Sequence, residues 1–186
     1  YTGNGSTNAI TGVGFKPDWL WIKDRGTTYY HYIQDAVRTS DNVIFSNGTD
    51  AAQDYPNAIQ SFDTDGFTTG SQAATNNNSN NFVSWNWKAS NATAVSNSDG
   101  DVTSTVSANQ TAGFSIATVS NLNSNTFGHG LGKEPHLIFG KRIDDVAKWR
   151  VYFKGIGSGK SLFLNTNAGE TTEGSAIASA TSSTVT

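Results

Sequence analysis

Cysteine and methionine are both missing from the 186-residue chain, and proline and histidine occur only three times each. Without cysteine there are no disulfides, no thiolate metal sites and no thiol nucleophile. Without methionine the other readily oxidised sulfur is gone as well. Both absences suit a molecule exposed to the outside. Charge is sparse: Asp, Glu, Lys and Arg make up 15% of the residues, against roughly a quarter in an average domain, so the surface must be mostly neutral and polar. The 12 Lys and Arg are scattered and the formal net charge is −3, so the stripe that grips a phosphate backbone is missing and nucleic acid is not an expected partner. No apolar run approaches the roughly 18 residues of a membrane helix, so no membrane is expected either. The chain opens on Tyr1 with neither an initiator Met nor a basic and apolar leader, the pattern expected of an excerpt from a longer or processed polypeptide.

What is abundant is small and polar: 21 Ser, 23 Thr, 19 Asn and 19 Gly. Such a composition borders on that of disordered chains, but 5 Trp, 10 Phe and 6 Tyr spread along the sequence supply large surfaces to bury, so a folded domain is expected. The length suits one generous β-sandwich or two small lobes.

The sequence matches itself without a gap at an offset of 118 residues, residues 1–68 against 119–186. Gly12, Gly14, Pro17 and Lys23 fall on Gly130, Gly132, Pro135 and Lys141. Trp19, Leu20 and Trp21 fall on Leu137, Ile138 and Phe139; Ile44, Phe45 and Asn47 on Leu162, Phe163 and Asn165; Ala58, Ile59 and Ser61 on Ala176, Ile177 and Ser179. Chance matches among Ser, Thr, Asn and Gly would not keep apolar positions aligned over such a span. The expected organisation is therefore a first repeat unit over residues 1–88, a connecting segment with a strand over 89–112, and a second unit over 113–186. Nothing after Val185 and Thr186 matches the aromatic segment Phe82 to Lys88, so the second copy is expected to be incomplete at its C-terminal end.

Short segments alternate in character or form compact apolar runs between Gly, Asn, Asp and Pro clusters, which predicts many short strands. Residues 18–23, 30–34, 43–46, 82–87, 102–106, 114–119, 149–153 and 161–164 are the predicted strands. The first places Trp19 and Trp21 on one face and Leu20 and Ile22 on the other, as in a strand covered on both sides. Asn47-Gly48, Asp65-Gly66 and Asp99-Gly100 are predicted turns. Residues 35–38 have the potential for one helical turn, 76–81 for an exposed loop with a structured turn as the alternative, and 89–100 for a linker. The predicted fold class is all-β: an antiparallel β-sandwich of jelly-roll or concanavalin-like type, internally duplicated.

Candidate chemistry is thin. His31, His129 and His136 have no second His, Cys or acidic partner at ligand spacing. His31 is expected to be a partly buried aromatic-like side chain and His129 a turn residue. Asp63, Asp65 and Gly66 resemble the start of a calcium loop but lack its downstream Glu, so Asp63 and Asp65 are only weak metal candidates beside a tight turn held by Phe62 and Phe67. No paired-carboxylate strand pattern is present: Glu134, Glu170 and Glu173 all stand in loop-like context. No nucleophile elbow, phosphate-binding loop or dinucleotide fingerprint occurs, so neither catalysis nor a cofactor is expected. Tyr29, Tyr30, Tyr32, Trp85 and Trp87 are candidates for an aromatic platform that stacks sugar rings, with core packing as the competing reading.

The strings Tyr1-Thr-Gly-Asn-Gly-Ser, Ile10-Thr-Gly-Val-Gly-Phe-Lys-Pro-Asp, Trp19-Leu-Trp-Ile-Lys, Ser61-Phe-Asp-Thr-Asp-Gly-Phe, Val83-Ser-Trp-Asn-Trp-Lys and Gly128-His-Gly-Leu-Gly-Lys-Glu-Pro together resemble a repeat of large structural proteins of tailed bacteriophages of marine and cyanobacterial hosts. The linking phrase from Ser98 to Ile116 resembles it too, so the likeness covers essentially the whole chain. It implies a virion component in a tail fibre, tail tip or capsid-surface appendage, without catalytic residues, whose partners are other virion chains or further copies of itself. A module binding host surface polysaccharide is the alternative, and a capsule depolymerase a weaker one.

Overall fold

The computed structural model describes residues 1–123, 125–172 and 177–186. Of the described residues 41% are strand and 4% helix, an all-β chain of antiparallel sheets as predicted. In its first half the strands are β1 (Asn8–Ile10), β2 (Trp19–Asp24), β3 (Tyr32–Asp35), β4 (Thr39–Phe45), β5 (Gln53–Asp54), β6 (Ile59–Asp63), β7 (Gly66–Thr69) and β8 (Phe82–Trp87), with helix α1 (Ala73–Asn76) before β8. In the second half they are β9 (Val95–Asn97), β10 (Ser104–Asn109), β11 (Phe114–Val119), β12 (Phe127–Gly128), β13 (Leu137–Gly140), β14 (Arg150–Phe153), β15 (Lys160–Phe163), β16 (Thr171–Thr172) and β17 (Thr184–Val185), with a 3₁₀ turn at Lys154–Ile156.

A five-stranded sheet of order β5-β4-β3-β2-β8 is the largest element. Leu20 and Ile22 leave one face of β2 and are buried with Phe82 of β8 against Ile59 and Phe67 of the β1-β7-β6 sheet. Each such side chain contributes about 1.5–3 kcal/mol when taken out of water. The same layer continues through Tyr32, Val43 and Phe45 onto Ala58 and Ala74. On the opposite face, Ile33 and Ile44 are buried with Trp149, and Trp19, Trp21, Ala52 and Leu164 pack around them. The second half of the chain thereby covers the outer face of the first. The Trp149 indole N–H donates to the Phe45 carbonyl at 2.7 Å, an oxygen that also accepts the Gly48 N–H at 3.2 Å.

The four-stranded sheet β13-β14-β15-β16 has the pairings of β2-β3-β4-β5 moved by 118 residues. Trp19 lies across from Asp35 and Leu137 from Phe153; Tyr32 pairs with Phe45 and Arg150 with Phe163; Asn42 pairs with Asp54 and Lys160 with Thr172. Local ties follow the same offset. The His31 N–H donates to Asn47 Oδ1 at 2.8 Å and the Trp149 N–H to Asn165 Oδ1 at 3.0 Å. Lys23 Nζ donates to the carbonyls of Asp24 and Thr27, and Lys141 Nζ to those of Arg142 and Asp145. Other places depart from the offset: Ile10 pairs with Phe67, whereas Gly128 pairs with Thr184 and not Val185, and the Asp35–Thr39 pair has no counterpart in the β14–β15 ladder. The Ala58 match at Ala176 falls outside the described residues.

Several sequence expectations are corrected. Residues 36–38 form a turn and no helix, because the Asp35 carboxylate takes the Val37 and Arg38 N–H groups at 3.0 and 2.9 Å. The segment 76–81 turns at 78–79 with Asn78, Ser79 and Asn81 exposed, but its first residue is fully buried: the Asn76 amide donates to Asn4 Oδ1 and the carbonyls of Ser6 and Gly70, and its oxygen accepts the Asn4 N–H. The linker over 89–100 contains β9 and is pinned by buried Asp18, whose Oδ2 accepts the N–H groups of Ala89 and Asn91 at 2.7 and 3.0 Å.

Two titratable groups clamp loops. Asp65 in the β6–β7 turn accepts the Gly12 N–H at 3.0 Å and the Gly14 N–H at 2.6 Å, which lowers its pKa below the usual carboxylate range. The next residue must be glycine, since a Cβ on Gly66, at φ +152, would stand 1.9 Å from the Ile10 carbonyl oxygen. His129 is buried: its Nδ1 accepts the Leu131 N–H at 3.2 Å, leaving Nε2–H to face the Thr181 carbonyl at 3.3 Å. Burial pushes the imidazole below its ordinary value, and Thr181 and Asp99 offset only part of this.

Two outcomes follow. Trp149→Ala is expected to cost about 3–5 kcal/mol of unfolding free energy, whereas Trp149→Phe, which leaves the Phe45 carbonyl its Gly48 donor, should cost only about 1–2 kcal/mol; urea titration of both variants checks the ranking. The folded state disfavours protonated His129, so its contribution is intact above the unfolded value of about 6.5 and is lost as pH falls through it. Asp65 is favoured as carboxylate, so its contribution is present above about pH 4 and fades as pH drops through its lowered folded pKa. Thermal melts from pH 8 to 2 should show His129→Asn flattening the upper part of the decline and Asp65→Asn the acid part.

Candidate functional site

The most chemically distinctive surface is an aromatic strip on the face of β2 and β8 that points towards the second half of the chain. Both strands carry a Trp-x-Trp alternation, and antiparallel pairing sets Trp19 across from Trp87 and Trp21 across from Trp85. The Trp19 and Trp87 rings meet edge to face with centroids 4.6 Å apart, and Trp21 and Trp85 are tilted at 5.6 Å. Phe114 of β11 stacks on Trp87 at 6.2 Å and closes that end. Trp149 and Leu164 cover the strip from one side. Trp85 remains 45% exposed, the largest uncovered ring in the group. Trp21 Nε1 is buried without an acceptor among the described residues. A flat apolar face of this kind can stack a sugar ring, or another aromatic strand.

The five residues proposed as a platform do not form one. Tyr32 is 4% exposed and lies in the core on the opposite face of the sheet. Tyr29 and Tyr30 are exposed but precede β3, which starts at Tyr32, and Tyr30 packs on Phe45 at 4.8 Å. Only Trp85 and Trp87 stay together. Trp19, Trp21 and Phe114, which sequence reasoning assigned to strands without a shared role, join them. The signal was the repeated Trp-x-Trp; what it could not show was which two strands are neighbours.

Several carboxylates are engaged by the chain itself. Asp63 accepts the hydroxyls of Ser61 at 2.7 Å and Thr68 at 2.6 Å, and Asp65 accepts two backbone N–H groups. Asp24, buried at the end of β2, accepts the Gly26 N–H and the Asn80 amide; burial raises its pKa, but these bonds, Thr27 and Lys23 outweigh it and the net shift is downward. Asp101 accepts the Thr126 N–H at 2.9 Å and hydroxyl at 2.8 Å. Among the described residues no three His, Asp or Glu side chains come together as a metal site. His31 is partly covered and His129 is buried directly after β12, each with its pKa lowered by burial. No helix among the described residues is long and apolar enough to cross a membrane.

Neither the curated proteins nor the solved structures contain a match to the chain. The family profile that matches does so over residues 1–186, and the chain belongs to that family, the domain of unknown function DUF7483.

Proposed function

We propose that the chain is a non-catalytic structural module of a tailed-bacteriophage virion, carried in a tail fibre, tail tip or capsid-surface appendage and serving assembly or host-surface attachment. In this reading it consists of two copies of one β-sandwich unit. The observation that carries the reading is the double appearance of one ladder, with Trp19 to Asp35 and Leu137 to Phe153 in the same register 118 residues apart. Repetition of one unit is how extended appendages are made from a single chain. Support also comes from the phage-like phrases over nearly the whole sequence, and from acidic side chains at Asp18, Asp24, Asp35, Asp63, Asp65 and Asp101 that all bind the chain's own donors.

A glycan-binding role is the second reading, and the half-exposed Trp85 ring favours it. Both readings are testable. Gradient-purified particles from the source culture should contain the chain by mass spectrometry and bind immunogold raised against it on the tail or capsid surface. Abundant chain in infected cells with none on particles refutes the virion reading. On a glycan array, Trp85→Ala should weaken any bound sugar by about tenfold, the loss of one stacked ring; equal binding by both proteins removes the strip from consideration.

A further inference from the structure

Strand β13 is the edge of its sheet among the described residues, with β14 as its single ladder partner. Its counterpart β2 has two partners, β3 on one side and β8 on the other. The residues of β13 in the places of Trp19 and Trp21 are Leu137 and Phe139, 51% and 43% exposed, and Phe153 beside Leu137 is 44% exposed. An apolar edge strand of this kind is a ready template for pairing with another strand.

We infer that the outer edge of β13 is an acceptor for an antiparallel strand of β8 chemistry, with aromatic side chains two residues apart. The register follows from β2 and β8. The pairs Trp19–Trp87, Leu20–Asn86, Trp21–Trp85 and Ile22–Ser84 place one incoming aromatic opposite Leu137, a polar residue opposite Ile138, a second aromatic opposite Phe139 and a small residue opposite Gly140. The polar and small residues fit the inner face. There Gly140 has no side chain, and a Cβ on it would stand 3.1 Å from Ile177 Cδ1, leaving little room for bulk. Backbone bonds to the free edge supply affinity, and the aromatic pair, meeting Phe139 and Leu137 as Trp85 and Trp87 meet Trp21 and Trp19, supplies selectivity. The occupant is therefore a strand of the Phe-Val-Ser-Trp-Asn-Trp kind and not the β13 edge of a second copy, whose Leu-Ile-Phe-Gly would bring only one aromatic. The inference rests on the equivalence of the two sheets and not on the virion assignment, so it is read in solution, and failure to find the chain on particles leaves it standing.

The test extends the full chain after Thr186 with its own residues Thr69 to Lys88, which continue the match of Val185 and Thr186 to Phe67 and Thr68. Hydrogen exchange of the β13 amides that do not face β14 should slow by about tenfold or more relative to the natural chain, reflecting new ladder bonds. The gain should disappear when the appended strand carries Ser in place of both its tryptophans, and when exposed Phe139 is changed as Phe139→Lys. Should the extended chain misfold, a peptide of residues 81–89 added to the natural chain at millimolar concentration must shift the amide resonances of residues 137–140 selectively. Unchanged exchange and unshifted resonances overturn the inference. So does equal protection from the tryptophan-free strand, or a dimer of the natural chain whose β13 amides are already protected.

Discussion

Strand β2 must be covered twice. Its alternating Trp19, Leu20, Trp21 and Ile22 put large apolar surface on both faces of the five-stranded sheet, and water cannot be left against either without losing the gain from burial. The inner face is covered by β1-β7-β6, which follows from sequence proximity and tight turns. The outer face has to be covered by something further along the chain, and Trp149 with Leu164 does this. Most of the architecture follows: the connecting hairpin β9–β11 must bring the second half round to that face, and Asp18 fastens the start of the connection where it leaves β8.

Polar groups complete what apolar packing leaves open. In a chain poor in charge, the buried or clamped carboxylates act as local staples between segments far apart in sequence: Asp65 holds the loop after β1, Asp24 the turn before β8, and Asp101 the approach to β12. Asn76 does the same with a neutral amide at the centre of the N-terminal loop. A hydroxyl- and amide-rich composition suits this, because each short side chain can take up a backbone group that the short strands cannot pair.

The strands were largely legible. The alternation in β2 and β8 and the apolar runs at Val43, Phe114 and Leu162 lie within a few residues of observed strands, because a strand's pattern is local. The offset of 118 reappears in several ladder registers because the strands that pair there lie close in sequence. The aromatic site was not legible as a site. Tyr30 and Tyr32 look alike in sequence, yet one precedes the strand and stays half-exposed against Phe45 while the other enters the core, and Trp87 meets Phe114 only because β11 is folded back over it. The role of Trp149 was hidden for the same reason: its partners Ile33 and Ile44 are more than 100 residues away. Asn76 sat in a polar run where nothing marks one asparagine as buried.

The oxygen of Phe45 accepts one N–H from its own turn and one from Trp149. A single atom is thus shared by a hairpin of the first half and the plug of the second, so neither can shift without disturbing the other. Any sliding of one half past the other at this seam must lengthen that shared hydrogen bond.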